Sequence, residues 1–163
     1  MLKNAMMPER DHNVLPELGE VIIRELRRPE DEAAYLRFGA EMATDDLRMR
    51  FAVPTRWSIA LAQRMLMLNG TVFAAFGEDG EILGVGRLAD NEVALAVRSK
   101  LKRRGLGRAL LEHIVRSALE QGIGELTGIV LAENRPMLAL AQVAGFRITG
   151  SEGPVVSVRL CLP

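Results

Sequence analysis

Hydrophobic residues along this chain follow two spacings, and each spacing predicts a different kind of element. Short apolar runs rich in β-branched residues and bounded by turn residues predict strands. Such runs lie at 21–26, 71–77, 81–88, 91–97, 125–131, 146–150 and 155–161. Apolar residues three or four positions apart predict helices, and they lie at 28–42, 56–69, 104–121 and 134–145. The pattern therefore predicts a chain that alternates between strands and helices.

The ends of the predicted helices carry residues that commonly begin or stop a helix. Pro29 and the acidic residues after it suit a first helical turn. Asn134 suits the cap of the last helix, and Gly122 suits the end of the longest one. The elements follow the order strand, two helices, three strands, helix, strand, helix and two strands. That order is typical of the α/β or α+β class, with a mixed sheet and helices on both faces.

Length and charge limit the kinds of protein this chain can be. The 163 residues fit one domain, predicted at 20–163, after an N-terminal tail at 1–19 that is expected to be mobile or to lie along the surface as a strap. Lys+Arg and Asp+Glu are both 21, so the overall charge gives no argument for binding nucleic acid or an anionic membrane.

The N-terminus and the single cysteine bear on the cellular setting. The N-terminus carries charges where a signal peptide needs a continuous apolar stretch, and no apolar run approaches about 18 residues. Cys161 is the only cysteine, which excludes an intrachain disulfide and a multi-cysteine zinc site. The expectation is a cytoplasmic protein with no metal site, no membrane anchor and no nucleic-acid partner.

A basic segment with two glycines stands just before the longest predicted helix. Residues 98–111 read RSKLKRRGLGRALL, with Gly105 and Gly107 at the end of the basic cluster. The first turn of a helix exposes unpartnered backbone N–H groups and about half a positive charge, which suits a pyrophosphate. A solvated basic face beside a tight turn explains the same residues. The glycine spacing fits neither a P-loop nor a dinucleotide-binding fingerprint.

Two segments in order resemble the acyl-CoA core of the GNAT acyltransferase superfamily. They are LAVRSKLKRRGLGRALLEHIVRSALEQGI and VLAENRPMLALAQVAGF. The family loop is Gln/Arg-x-x-Gly-x-Gly/Ala, and here a lysine, Lys102, replaces the first residue. The resemblance implies the GNAT fold, a central mixed, twisted sheet of about seven strands with helices on both faces. Four further segments, IIRELRRPEDEAAYLRF, DDLRMRF, EILGVGRL and AENRPML, resemble the acetyltransferase domain of Pat-type bacterial protein lysine acetyltransferases. This closer resemblance spans about 21–150.

The resemblance also implies a binding site for acetyl-CoA, the cosubstrate of the superfamily. The backbone of the fourth predicted strand would pair with the pantetheine arm, and the glycine loop would hold the pyrophosphate through main-chain N–H groups. Asn134 would contact the cosubstrate where two strands separate, although it fits a simple helix cap equally well. The implied cofactor-binding residues are Leu95, Ala96, Val97, Lys102, Arg103, Arg104, Gly105, Leu106, Gly107, Arg108 and Asn134.

Glu92 aligns with the glutamate that Pat-type domains use as general base. The free-base form of a lysine amine with a pKa near 10.4 lies about 4.6 kcal/mol uphill at pH 7, and a carboxylate that accepts the proton typically contributes about 10²–10⁴ in rate. This role leads us to expect a glutamate buried in the cleft; the alternative is an exposed residue at a strand edge. Many GNAT enzymes carry a tyrosine as general acid where this chain has Ala141, which leaves no obvious general acid.

Several other residues have a structural explanation that competes with a functional one. Tyr35 and Trp57 could line an acceptor groove or pack in the core, and Arg48 and Arg50 could lie near the acceptor or form surface ion pairs. We expect His113 to pack beside the apolar stripe of its helix, and Cys161 to be a buried strand residue rather than a nucleophile.

The resemblance implies an N-acetyltransferase that moves an acetyl group from acetyl-CoA to a primary amine, with a protein lysine favoured as the acceptor. A small-molecule amine is the main alternative, because a fold does not determine its substrate. A catalytically silent acyl-CoA-binding module is a third hypothesis. The methionine-rich helix at 56–69 and the strand-forming C-terminus leave a homodimer open.

Overall fold

The computed structural model describes residues 10–163, which form one sheet with helices on both of its faces. The strands are β1 (Asp11–Leu15), β2 (Gly19–Glu25), β3 (Thr71–Phe76), β4 (Ile82–Ala89), β5 (Glu92–Val97), β6 (Glu125–Leu131), β7 (Arg147–Glu152) and β8 (Val155–Cys161). The helices are α1 (Glu32–Ala40), α2 (Thr44–Phe51), α3 (Ile59–Met67), α4 (Leu106–Glu120) and α5 (Arg135–Val143). A short 3-10 helix, Ser99–Leu101, follows β5. The predicted mixed α/β class is confirmed.

The sheet has the order β1-β2-β3-β4-β5-β6-β8-β7, and β5 and β6 are its parallel neighbours. The other neighbouring strands are antiparallel. The parallel pairing is confined to one position, Glu92 opposite Thr127, and the Thr127 N–H also donates to the Asn91 carbonyl at 2.8 Å. Beyond that position the two strands separate, so the β5 backbone keeps pairing with β4 on one edge while its other edge opens into a gap.

Each face of the sheet has its own hydrophobic core. On one face, α4 lays the predicted stripe of Leu106, Leu110, Ile114 and Ala118 against the strands, and all four side chains are at most 1% exposed. Burying an aliphatic side chain of this size contributes about 1.5–3 kcal/mol, so this stripe is what fixes α4 on the sheet. On the other face, α1, α2 and α3 cover a second core around Phe38, Leu47 and Met65.

One strand and one α-helix were not predicted from the hydrophobic pattern. Strand β1 lies in the predicted tail, whose residues 1–9 are outside the described part of the chain. It pairs with β2 and is also held by Asp11, whose carboxylate accepts hydrogen bonds from His113 at 2.7 Å and Arg116 at 2.8 Å. Half of the residues of helix α2, TDDLRMRF, are charged, and Leu47 is its one buried residue. Both elements are stabilised by contacts with distant residues, which a local apolar period does not reveal. Among residues 10–163, no helix combines the length and the apolar character needed to cross a membrane.

Candidate functional site

The glycine loop forms the N-terminal end of α4. Gly105 is the N-cap residue and has a φ of +84°, a left-handed conformation that glycine adopts readily. The first intrahelical bond of α4 runs from the Ala109 N–H to the Gly105 carbonyl, so the N–H groups of Leu106, Gly107 and Arg108 have no acceptor within the helix. The loop therefore presents backbone donors and the positive end of a helix dipole, which fits a phosphate group.

A cavity of about 290 Å³ runs from this loop to the gap between β5 and β6. Its lining includes all but two of the predicted cofactor-binding residues: Leu95, Ala96, Val97, Lys102, Arg103, Gly105, Gly107, Arg108 and Asn134. The opposite wall comes from residues that were not predicted for binding, namely Met42, Asp46 and Met49 near α2, and Pro136, Met137 and Leu140 of α5. Three separate parts of the chain, residues 42–50, 95–108 and 134–140, thus come together in the fold to form one continuous cleft.

The two predicted residues outside this lining have other surroundings. The Arg104 guanidinium lies 3.3 Å from the Glu17 carboxylate, on the side of β1. The Leu106 side chain is 1% exposed and belongs to the core beneath α4. Leu106 can therefore face the cleft only through its main-chain N–H, which is the kind of contact predicted for this loop.

Asn134 lies where β6 ends and α5 begins. Its Oδ1 accepts a hydrogen bond from the Met137 N–H at 3.4 Å, which makes it the cap of α5. It also lines the main cavity and a smaller cavity of about 50 Å³ in the gap between β5 and β6. Asn134 is thus a helix cap that also borders the open edge of β5. Ala141, in the tyrosine position of many GNAT enzymes, is buried at this smaller cavity and offers no proton.

Glu92 begins β5 beside the single parallel pair with β6. Successive side chains of a strand point to opposite faces. Val93, Leu95 and Val97 pack on the α4 side, so Glu92 lies on the same face as Ala94 and Ala96, which is the face covered by α1, α2 and α3. Glu92 is nevertheless exposed to solvent. The expectation that it would be buried in the cleft is therefore wrong, because it stands at the very start of the strand, before the helices cover the sheet.

Arg48 and Arg50 lie two residues apart on α2 but have opposite surroundings. Arg48 pairs with Glu133 at 2.5 Å and Asp45 at 2.7 Å, and hydrogen bonds to these carboxylates raise its pKa. Arg50 is partly buried, has no ion pair within the described residues, and stacks on Phe51 at 4.8 Å from the ring centroid. Burial lowers the pKa of Arg50, and the nearby charges of Tyr35 and, less strongly, Glu92 oppose this effect. The expected surface ion pair is therefore found for Arg48 but not for Arg50.

Helix α2 is held across the cleft by ion pairs on both sides. Asp46 accepts hydrogen bonds from Lys102 and Ser99, next to the glycine loop. Arg48 reaches Glu133, which precedes α5. Sequence reasoning missed α2 as a wall of the site because these partners are 56 and 85 residues away along the chain.

The remaining candidates pack against other side chains or lie at the surface, and Tyr35 and Trp57 also line a cavity beneath α1 and α3. Tyr35 packs edge-on against Trp57 with ring centroids 5.5 Å apart, and burial raises the pKa of its hydroxyl. His113 is buried and bonded to Asp11, as expected for a packing residue. Cys161 is exposed near the end of β8, so the expectation that it is buried is wrong.

The fold and cleft together define a class of protein, the acyl-CoA-dependent N-acetyltransferases. A helix N-terminus at a glycine loop and a gap between two parallel strands form one cleft in this chain. The sequence profile of the acetyltransferase (GNAT) family matches residues 36–146, more than half of the chain. The chain therefore belongs to the GNAT acetyltransferase family, whose members use acetyl-CoA as a cosubstrate.

Solved structures agree with this assignment. The GNAT domain of S. lividans PAT is 26% identical to this chain, with a TM-score of 0.85 over 94% of this chain and 97% of that one. A GCN5-related N-acetyltransferase from Kribbella flavida is 20% identical, with a TM-score of 0.73 over 90% and 99%. The ribosomal-protein-S5-alanine acetyltransferase from Vibrio fischeri is 12% identical, with a TM-score of 0.71 over 91% and 97%. The latter two support the fold alone.

Proposed function

We propose that this enzyme transfers an acetyl group from acetyl-CoA to the side-chain amine of a protein lysine, with Glu92 as general base. The observation that carries the proposal is the continuous cleft from the Gly105–Gly107 loop to Leu95 on the open edge of β5, the strand that Glu92 begins. The 26% identity to the GNAT domain of S. lividans PAT over nearly the whole of both chains favours a Pat-type enzyme.

In this proposal each part of the cleft has one task. Backbone N–H groups at the N-terminus of α4 bind the pyrophosphate of acetyl-CoA, and Lys102 and Arg108 add positive charge. The free edge of β5 at Leu95, Ala96 and Val97 orients the pantetheine arm. Bound acetyl-CoA would supply the acetyl group: the amide C–N bond forms as the thioester C–S bond breaks and CoA thiolate leaves.

Glu92 removes the proton that the attacking amine must lose. Because its carboxylate is exposed, we expect proton transfer through a water molecule, with bulk solvent as a competing acceptor. The contribution of Glu92 should therefore fall at the low end of the range for general bases, about 10²-fold. Neither Ala141 nor a neighbouring residue on α5 supplies a general acid, so the CoA thiolate takes its proton from solvent.

The test is acetylation of a bacterial proteome with the purified enzyme and isotopically labelled acetyl-CoA, followed by mass spectrometry. Labelled lysines are expected, and kcat with a purified acceptor should fall about 10²-fold for Glu92→Gln. Asp90→Asn is the matched control, because it removes an exposed carboxylate two residues away in the turn before β5. Label found only on small amines would replace the protein acceptor by a small molecule. Binding of acetyl-CoA without any acetylated product would mean a silent binding module.

A further inference from the structure

Arg50 stands where three cavities of the protein meet. It lines the main cleft, the smaller cavity in the gap between β5 and β6, and a third cavity beneath α1 and α3. The last two cavities include no residue of the glycine loop. Arg50 is therefore placed toward the Glu92 end of β5, away from the proposed phosphate-binding loop at Gly105–Gly107.

A second cation lies in the same cavity beneath α1 and α3. Arg87 of β4 is opposite Ala94 in the sheet, so it shares the face of β5 that carries Glu92. One guanidinium nitrogen of Arg87 donates to the Asn69 carbonyl, but its Nε is buried with no hydrogen-bond partner among residues 10–163. The rest of this cavity is largely apolar, with Tyr35, Phe38 and Trp57 in its walls.

Two arginines thus line one cavity, and the carboxylate of Glu92 lies near enough to Arg50 for its charge to act on it. A partly buried cation loses much of its hydration, and this loss is normally offset by an anion with good hydrogen-bond geometry. Arg48, Arg24 and Arg98 all have such a carboxylate within 2.7 Å in this chain, whereas Arg50 has none among the described residues. The charge of Glu92 acts on Arg50 without an ion pair. An arginine left in this state at a binding cleft fits a ligand that brings its own anion.

Resting on the proposed function, we infer that the acceptor carries a carboxylate close to its reactive amine, and that Arg50 binds this carboxylate. Arg50 is then a specificity-determining residue of the acceptor side, and Arg87 adds positive potential behind it. The carboxylate has two possible sources: an acidic side chain beside the target lysine of a protein, or the carboxylate of a small amino acid. Both present the same two oxygens, which the planar guanidinium can bind in a bidentate manner.

Binding to the CoA-loaded enzyme tests this inference without any turnover, because CoA carries no acetyl group to transfer. Two matched pairs of ligands are titrated by calorimetry. The peptide pair is acetyl-Gly-Glu-Lys-Gly-amide and its Gln counterpart, and the small-molecule pair is Nα-acetyl-lysine and Nα-acetyl-lysine amide. In at least one pair the carboxylate ligand should bind about ten- to a hundredfold more tightly, as a charge-assisted hydrogen bond in a partly desolvated site allows. The pair that shows the difference identifies the source.

Variants then assign the preference to Arg50. Arg50→Met should bring the two members of the pair to nearly equal affinity, and Arg50→Lys should retain part of the difference, since it keeps the charge but not the bidentate geometry. Arg64→Met, which removes an exposed arginine of α3 that lines none of these cavities, should retain all of it. The affinity for CoA alone should stay unchanged in all three.

Equal binding of both members of both pairs to the wild-type enzyme would overturn the inference. A preference that survives in Arg50→Met, or an Arg50→Met variant that loses CoA affinity instead, would overturn it as well. A carboxylate preference in an enzyme that acetylates no amine would confirm that Arg50 binds a carboxylate and would refute the proposed reaction.

Discussion

Gly105→Glu is expected to weaken CoA binding strongly without unfolding the protein. A side chain has room at this position, because an added Cβ would lie 3.6 Å from Leu15 Cδ2, an ordinary contact. The φ of +84° nevertheless costs a non-glycine residue about 1–2 kcal/mol. The free energy of unfolding should fall by that amount, while the new carboxylate stands beside the backbone donors at the start of α4.

The loss of affinity follows mainly from charge. Two unit charges about 6 Å apart, at an effective dielectric constant of about 20, repel by about 2.8 kcal/mol, which corresponds to roughly a hundredfold weaker binding. Salt should reduce this penalty, because the screening length falls from about 10 Å at 0.1 M to about 3 Å at 1 M ionic strength. Backbone strain does not depend on salt, so the salt-sensitive part of the loss in CoA affinity measures the effect of the new charge at the phosphate-binding loop.

Gly122→Glu is the matched control for this experiment. Gly122 has a φ of +73°, nothing within 4 Å of an added Cβ, and a position just beyond the other end of α4. The Gly122→Glu substitution therefore introduces similar backbone strain and the same charge, but far from the cleft. Calorimetric titration with CoA should show weak binding for Gly105→Glu and near wild-type binding for Gly122→Glu. Equal CoA affinity in the two variants would refute the assignment of the Gly105–Gly107 loop as the phosphate-binding site.

Two further substitutions test parts of the structure on which the site depends. Asp31 accepts hydrogen bonds from Arg24 at 2.6 and 2.9 Å, and these bonds hold its pKa below the ordinary value of 3.8. The ionised Asp31 carboxylate therefore stabilises the folded state fully above pH 3.8, and this contribution is lost as the pH falls through the lowered pKa of Asp31. Asp31→Asn should lower the free energy of unfolding by about 2–3 kcal/mol at pH 7 and by much less at pH 2, and urea titrations with parallel pH profiles for both proteins would contradict this. Asp46→Asn removes the carboxylate that pairs with Lys102 and that, in the proposed site, would compete with a phosphate for this lysine. Surface ion pairs contribute about 0.2–1 kcal/mol, so CoA affinity at low salt should rise about two- to fivefold. A calorimetric loss of affinity would show instead that Asp46 supports the phosphate-binding loop.

Much of the fold follows from local pattern. The apolar stripe of α4, the short β-branched strands and the glycine turn each reflect a backbone conformation that neighbouring residues favour by themselves. Their boundaries moved by a few residues where a cap decides the end. Helix α4 begins at Leu106 rather than at 104, because Gly105 takes the left-handed cap conformation.

The errors share a cause, which is that the missing information lies in distant partners. Strand β1 depends on the contacts of Asp11 with α4, and α2 depends on Lys102 and Glu133. Glu92 was identified by its position before Gly105, but its exposure depends on where three separate helices end above the sheet.

The sequence by itself determined the elements, the glycine loop and the family resemblance, since these depend on residues close together in the chain. Only the tertiary structure decided that β5 and β6 separate after one pair and that α2 closes one side of the cleft. It also decided that, among residues 10–163, Arg50 has no carboxylate partner while Arg48 has two. Two arginines two residues apart are equivalent as sequence. They differ because the packing of α2 turns one toward Glu133 at the surface and the other into the cavities beside β5, where burial makes an absent anion costly.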